Sequence, residues 1–231
     1  STHARAGGRD AVLLLHSQQA GQQLIEELGR AAQLRVAQGL PAHVIPVALW
    51  HTASLGLDVW LTALSRGAAQ VLVLATHEEA PQYLEGLQAQ MNQVQALLEG
   101  LGFASPGQAC VQWLHATHVT ELDAELQRLT TGQHRRKAAI SPATFGVTTS
   151  KRSTLELALA HLLDHAPVLQ ARDAPHALAL PQDGALWGTV QVDTAACTLC
   201  MSCVSACPAG ALQDNPDAPQ LRMVEKNCVQ C

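Results

Sequence analysis

Four cysteines at short, regular intervals constrain this chain more strongly than any other feature. They are Cys197, Cys200, Cys203 and Cys207, and Pro208 follows the last one directly. Two residues between thiols let a tight turn bring successive sulfur atoms to neighbouring corners of one compact cluster, and the proline fixes the direction in which the backbone leaves. The pattern C-x-x-C-x-x-C-x-x-x-C-P is typical of segments that bind [4Fe–4S] clusters through thiolates. The sequence therefore predicts an iron–sulfur site.

A second pair, Cys228 and Cys231, repeats the opening C-x-x-C of the first motif. Small and apolar residues follow Pro208, and a turn is predicted from Asp214 to Pro219. Two short strands are also predicted, one at Val190 and Val192 and one at Leu221 and Met223. With these features, residues 188–231 resemble a truncated bacterial two-cluster ferredoxin domain. The resemblance implies a small α+β ferredoxin-like iron–sulfur module.

The same resemblance implies two [4Fe–4S] clusters. The six cysteines of the module are then the ligands, three for each cluster: Cys197, Cys200 and Cys203 for one, and Cys207, Cys228 and Cys231 for the other. Each cluster lacks one ligand in this sequence. Because the sequence begins with Ser1 rather than Met, we expect it to be part of a longer protein that supplies both missing cysteines.

Zinc sites and disulfide frameworks also contain clustered cysteines. Structural zinc sites usually pair two C-x-x-C units across a long gap, which the compact first motif does not do. A disulfide framework is typical of small secreted domains, whereas most of this chain contains few cysteines. Cys110 stands alone in an apolar run and is predicted to be a buried core residue.

The composition predicts an ordered globular protein and argues against two kinds of partner. Of the 231 residues, 48% are hydrophobic and 14% are charged, which is typical of folded domains. No apolar run approaches the roughly 20 residues that a membrane helix needs. The net charge is −5 and aromatic residues make up 3%, so we do not expect a nucleic-acid partner, which requires basic and stacking surfaces.

Charge and cysteine use favour a redox partner instead. Residues 181–231 hold five acidic side chains and two basic ones, a balance that suits a partner protein with a basic docking patch. Thiols that are reserved for metal indicate a reducing compartment, for which the cytoplasm is the simplest choice.

Apolar runs alternate with helical stripes through the first part of the chain. Four short apolar runs predict buried strands, at residues 11–15, 43–49, 70–75 and 109–114. Each is followed by a segment in which apolar residues recur at helical spacing. Four β–α units in succession predict a parallel sheet with helices on both faces, and we expect a flavodoxin-like doubly wound α/β domain over residues 1–135.

A histidine stands at or near the end of each predicted strand: His16, His51, His77 and His115. Ligands of open parallel sheets bind beyond the carboxyl ends of the strands, so these side chains either line a site or reach out to water. No G-x-G-x-x-G or Walker A segment is present, and nucleotide binding therefore has no direct support.

A second resemblance covers about residues 10–130. The segment Gly67–His77, then Tyr83 and the long predicted helix up to Phe103, is similar to the delta subunit of methyl-viologen-reducing hydrogenase. That family passes electrons between hydrogenase and heterodisulfide reductase. Two of its cysteines are replaced here by Thr76 and Pro81, so the resemblance implies a docking or scaffold domain that has lost its cluster.

Residues 136–187 are predicted to be a linker that contains one helix, which a capping box at Ser153 and Glu156 would open. The basic segment His134-Arg135-Arg136-Lys137 is predicted to be solvated, or to contact an acidic partner or the acidic tail of this chain. The cysteine motifs and the two resemblances together predict an iron–sulfur electron carrier within a larger oxidoreductase complex. Electron transfer of this kind requires no catalytic acid, base or nucleophile. The alternative is a redox enzyme whose α/β domain binds a flavin or a substrate, with the clusters as an internal wire.

Overall fold

The computed structural model describes residues 8, 10–131, 135–171, 177–229 and 231. The chain divides into two compact units, Ser1–Asp183 and Gly184–Cys231. Most of the segment that we predicted to be a linker therefore belongs to the first unit. No helix in the described ranges combines the length and the apolar character needed to cross a bilayer.

A four-stranded parallel sheet forms the centre of the first unit. Its strands are β1 (Val12–Ser17), β2 (Val44–Leu49), β3 (Gln70–Ala75) and β4 (Val111–His115). Their spatial order is β2-β1-β3-β4, which agrees with the order of flavodoxin-like sheets. The predicted parallel α/β sheet is thus confirmed. Every residue of β3 is buried, as expected for a central strand with helices on both faces.

One helix follows each strand: α1 (Ala20–Gln33), α2 (Leu57–Ser65), α3 (Pro81–Gly100) and α4 (Val119–Thr130). Helices α1 and α4 share a core with alternate residues of β3, Leu72 and Leu74. Helices α2 and α3 pack against each other and against β3 and β4. Each fully buried leucine in these layers stabilises the fold by about 1.5–3 kcal/mol.

The longest helix, α3, has a proline at its start and a glycine just after its end, and both suit those positions. Pro81 occupies the first turn, where its missing N–H costs no hydrogen bond. At the other end Gly102 has a φ of 84°, and the N–H of Phe103 returns to the carbonyl oxygen of Leu98 at 2.8 Å. This left-handed turn satisfies carbonyl groups that would otherwise lack donors at the helix end.

A fifth helix, α5 (Lys151–Asp164), packs against α2 and buries Ala158 and Leu162 completely. Its N-cap is Ser150, whose hydroxyl oxygen accepts the N–H of Ser153 at 3.2 Å. The capping box predicted at Ser153 is therefore wrong, because the helix has already begun at that residue.

The basic segment before α5 is anchored to the sheet. Arg135 forms an ion pair with Asp10, two residues before β1. Arg136 donates to the carbonyl oxygen of Ala109 at 2.5 Å and to that of Gln108 at 3.0 Å, just before β4. His134 lies outside the described residues. The two arginines hold the segment against the amino ends of the strands, so they are not merely solvated.

The second unit contains a short helix, α6 (Ser202–Ala206), and an antiparallel pair of strands, β5 (Leu212–Asp214) and β6 (Leu221–Met223). The return strand predicted at Leu221 and Met223 is confirmed. The strand predicted at Val190 and Val192 is wrong, because both valines are exposed and this segment pairs with no strand in the described part of the chain.

Candidate metal centre

The first cysteine is positioned by a turn that Asp193 organises. The carboxylate of Asp193 accepts the N–H of Ala195 at 3.0 Å and that of Ala196 at 3.3 Å. Its carbonyl oxygen accepts the N–H of Cys197 at 2.9 Å. An aspartate that bonds to the backbone two residues on is a common way to fix a turn, and here the turn ends at the first thiol.

The backbone on both sides of Cys200 is left-handed. Leu199 has a φ of 56° and Met201 a φ of 58°, a region that costs residues with a side chain roughly 1–2 kcal/mol each. Met201 is also the N-cap of α6, the short helix that carries Cys203. Two left-handed residues thus flank Cys200 and turn the chain between the loop that carries Cys197 and the helix that carries Cys203.

Hydrogen bonds around Cys200 favour its thiolate. The Sγ of Cys200 lies 3.3 Å from the Oγ of Ser202. The Ser202 hydroxyl lowers the pKa of Cys200 below its ordinary value, with smaller contributions from the Ser202 amide and the Thr198 hydroxyl. The thiolate is the form that binds metals, so this environment suits Cys200 to be a metal ligand.

Backbone amides surround the sulfur of Cys207. The N–H of Ala211 donates to the Cys207 Sγ at 3.2 Å, and Gly210, with a φ of 61°, allows the chain to turn around the sulfur. The amide of Leu212, followed by those of Ala211, Ala209 and Gly210, lowers the pKa of the Cys207 thiol, although desolvation opposes this effect. Hydrogen bonds to sulfur are also one of the ways in which a protein sets the potential of a cluster.

The last two candidate ligands follow β6. A single 3-10 turn, Glu225–Asn227, precedes Cys228, whose N–H donates to the carbonyl oxygen of Glu225 at 2.9 Å. Cys228 is half-buried and Cys231 is exposed. The side chain of Asn227 donates to the carbonyl oxygen of Gly210 at 3.3 Å. The approach to Cys228 is thus tied to the turn that follows Cys207.

The six candidate cysteine ligands lie on or beside short loops. In the part of the chain that the structure describes, their sulfur atoms are not grouped at one site. All seven cysteines are free thiols. Among the side chains that the structure describes, no three His, Cys, Asp or Glu residues are grouped closely enough to hold a metal ion. Folding of a metal site is coupled to metal binding. The thiol chemistry of the six cysteines and the amide donors around Cys207 fit an iron–sulfur cluster.

Residues 189–212 match the 4Fe-4S binding domain family. The matched segment contains the complete first motif, from Cys197 to Pro208, and ends with the amides that surround the Cys207 sulfur. No curated protein matches the chain significantly in sequence. The match supports a [4Fe–4S] cluster in the second unit.

The histidines at the strand ends have separate roles. His16 is buried, its Nδ1 lies 3.0 Å from the carbonyl oxygen of Ser17, and burial lowers its pKa. His51 accepts the N–H of Ala53 on its Nδ1 at 3.0 Å. The ring of His115 lies 5.8 Å from that of Trp113, and His77 is exposed.

Sequence reasoning missed the carboxylates that join the same loops. Glu79 is buried; its Oε1 accepts the hydroxyl of Thr52 and its Oε2 the N–H of Thr76, both at 2.7 Å. Glu78 accepts a hydrogen bond from Ser17, at the end of β1. Thr52 and Ser17 lie far from these carboxylates in sequence, so only the order of the strands reveals these two contacts.

Proposed function

We propose that this chain transfers single electrons through [4Fe–4S] clusters held by the ferredoxin-like module of residues 188–231, which lies within its second unit. The observation that carries the proposal is the match of the four-cysteine segment to a 4Fe-4S binding family. Hydrogen bonds that favour the thiolates of Cys200 and Cys207 support it, since iron in these clusters takes thiolate ligands. When bound, the clusters supply reversible one-electron chemistry, and the protein supplies ligands, hydrogen bonds and a docking surface.

Two clusters are proposed, as in the two-cluster ferredoxins that this segment resembles. Their ligands divide into two sets, Cys197, Cys200 and Cys203 for one, and Cys207, Cys228 and Cys231 for the other. The hydrogen bond from Asn227 to Gly210 supports the second set, because it joins the neighbours of Cys207 and Cys228. Each [4Fe–4S] cluster takes four thiolates, so two further ligands are required. We therefore propose that the chain acts as part of a larger redox protein.

The first unit is proposed to be a docking or scaffold domain. Its resemblance to the hydrogenase delta subunit suggests a place in an oxidoreductase complex, with redox proteins as partners. Thr76 and Pro81 stand where that family has cysteines, and neither can bind iron as a thiolate does. The cluster module then provides the redox centres, and the reducing compartment that its thiols require is most simply the cytoplasm.

Anaerobic reconstitution with iron and sulfide tests the proposal. We expect a brown protein with equal amounts of iron and acid-labile sulfide, and a paramagnetic resonance signal that appears after one-electron reduction. Metal analysis of the protein as purified distinguishes iron from zinc. Zinc without labile sulfide, together with failure to incorporate iron on reconstitution, would contradict the proposed function.

A further inference from the structure

A cavity of about 340 Å³ lies in the first unit, between α2, α5 and the segment that leads into α5. Asp58, Val59 and Ala63 line it from α2, and Val147 and Lys151 line it from the opposite side. Asp58 and Thr62 are four residues apart, as are Val59 and Ala63, so the residues from α2 share one face of the helix. The wall contributed by α2 is therefore a continuous surface that includes one acidic side chain.

The opposite wall is fixed by hydrogen bonds. The Oγ1 of Thr154, in the first turn of α5, accepts the N–H of Thr148 at 3.1 Å and lies 3.3 Å from its carbonyl oxygen. Both threonines line the cavity, and Thr154 is buried. Nearby, the N–H of Ala143 donates to the carbonyl oxygen of Ser65, at the end of α2, at 2.8 Å. These bonds attach the segment before α5 at two points.

Opposite charges line this cavity without neutralising each other. Within the described ranges, no ion pair includes Asp58 or Lys151. The ammonium group of Lys151 donates instead to the carbonyl oxygen of Ser54 at 3.3 Å. Lys151 is the first residue of α5, where the helix dipole also favours a negative group. A ligand with one cationic and one anionic group would complement both charges.

The size and the walls of the cavity restrict the ligand further. Ligand cavities range over roughly 300–1,000 Å³, so this one is near the lower limit and suits a small ligand. The rest of the lining combines aliphatic side chains, from Val59, Ala63 and Val147, with four threonines, Thr62, Thr148, Thr149 and Thr154. Val147 is 64% exposed, so a bound aliphatic group would cover apolar surface that now contacts water.

We propose that this cavity binds a small aliphatic amino acid, with its ammonium group on Asp58 and its carboxylate on Lys151. Its aliphatic side chain contacts Val59, Ala63 and Val147. The site lies wholly in the first unit and does not depend on the iron–sulfur clusters. It gives the proposed scaffold domain a small-molecule ligand of its own.

Calorimetric titration of the full chain with leucine tests this proposal. We expect saturable binding that weakens about tenfold or more with leucinamide, which lacks the carboxylate, and with N-acetylleucine, which lacks the ammonium group, because each loses a charge-assisted hydrogen bond. Glycine should bind more weakly than leucine, because it leaves the aliphatic wall exposed. These comparisons use the unmodified protein and therefore do not depend on how any variant folds.

Two variants test whether Asp58 and Lys151 bind the charged groups of leucine. Asp58→Asn and Lys151→Met should each weaken leucine binding about tenfold, for the same reason. Asp164→Asn and Arg152→Gln, which change charges on α5 outside the cavity lining, should leave it unchanged. The proposal is overturned if leucine shows no saturable binding at millimolar concentrations, or if the blocked analogues bind as well as leucine.

Discussion

The backbone N–H of Val224 donates to the carbonyl oxygen of Ala211 at 2.7 Å. Ala211 lies four residues after Cys207, and Val224 lies four residues before Cys228. The bond extends the β5–β6 pair toward both cysteines, which are otherwise separated by a turn and two strands. It supports the proposal that Cys207 and Cys228 bind the same cluster.

Iron content in cysteine variants distinguishes shared ligands from independent ones. We expect Cys207→Ala and Cys228→Ala each to remove one cluster, and the double variant to lose no more iron than either single variant. Combining Cys207→Ala with Cys200→Ala should remove iron additively, because the two thiolates bind different clusters. Iron and acid-labile sulfide per chain, measured after anaerobic reconstitution, provide the comparison.

Cys110→Ala is the matched control, because Cys110 is buried in the first unit. It should retain the full iron content. Additive iron loss in the Cys207 and Cys228 double variant would show that these residues do not share a cluster.

The sheet could be predicted because its strands carry their signal locally. Residues 71–75 form an unbroken apolar run, and the structure buries every one of them. A strand covered on both faces needs no polar alternation, so its composition alone is informative. The first cysteine motif is predictable for a similar reason, since the spacing that a cluster requires is short and local.

Contacts between distant residues could not be predicted in this way. Ala138 and Ile140 are buried although no periodicity marks their segment, which Arg136 attaches to carbonyl groups that precede β4. The left-handed backbone at Leu199 and Met201 opposes the preference of both residue types. Such conformations are imposed by the surrounding loop, and the residue types give no signal of them.

Replacement of Met201 by glycine tests whether the left-handed backbone strains the loop. Because glycine adopts a φ of 58° without steric cost, we expect Met201→Gly to stabilise the second unit by about 1 kcal/mol. Iron release to a chelator from the reconstituted protein should slow accordingly. Ser205→Gly, at an exposed position inside α6, should instead accelerate release, since glycine destabilises a helix. Equal rates of iron release in the two variants would show that the left-handed backbone at Met201 does not strain the loop.

Burial of His16 should make the free energy of unfolding depend on pH. Desolvation lowers its pKa in the folded protein, so the folded state binds a proton less readily than the unfolded state, where the pKa is about 6.5. The stability is therefore fully present above about pH 6.5 and falls as the pH decreases toward the folded pKa. Urea titrations followed by circular dichroism at several pH values measure this slope.

His16→Gln removes the titrating group, and we expect the slope between neutral and mildly acidic pH to become shallower. The control is His115→Gln, at an exposed position at the end of β4, which should keep the slope of the unmodified protein. An unchanged slope in the His16 variant would assign the pH dependence to other groups.

Among the side chains of the loops at the strand ends, we expect replacement of Glu79 to lower the free energy of unfolding the most. Its two carboxylate oxygens accept hydrogen bonds from Thr52 and Thr76, and it is 7% exposed. Glu79→Gln replaces an acceptor with an NH2 group that faces donors, so we expect unfolding to become easier by about 2 kcal/mol. Glu85→Gln, exposed on α3, should change stability little.

A double-mutant cycle with Thr52→Val attributes this cost to a specific bond. Thr52→Val removes the donor to Oε1 while keeping a similar volume, so the variant that combines it with Glu79→Gln should be less destabilised than the sum of the single changes. The free energies of unfolding come from urea titration of all four proteins. Strict additivity would mean that Glu79 stabilises the loop through Thr76 alone, and that the 2.7 Å contact with Thr52 contributes nothing measurable.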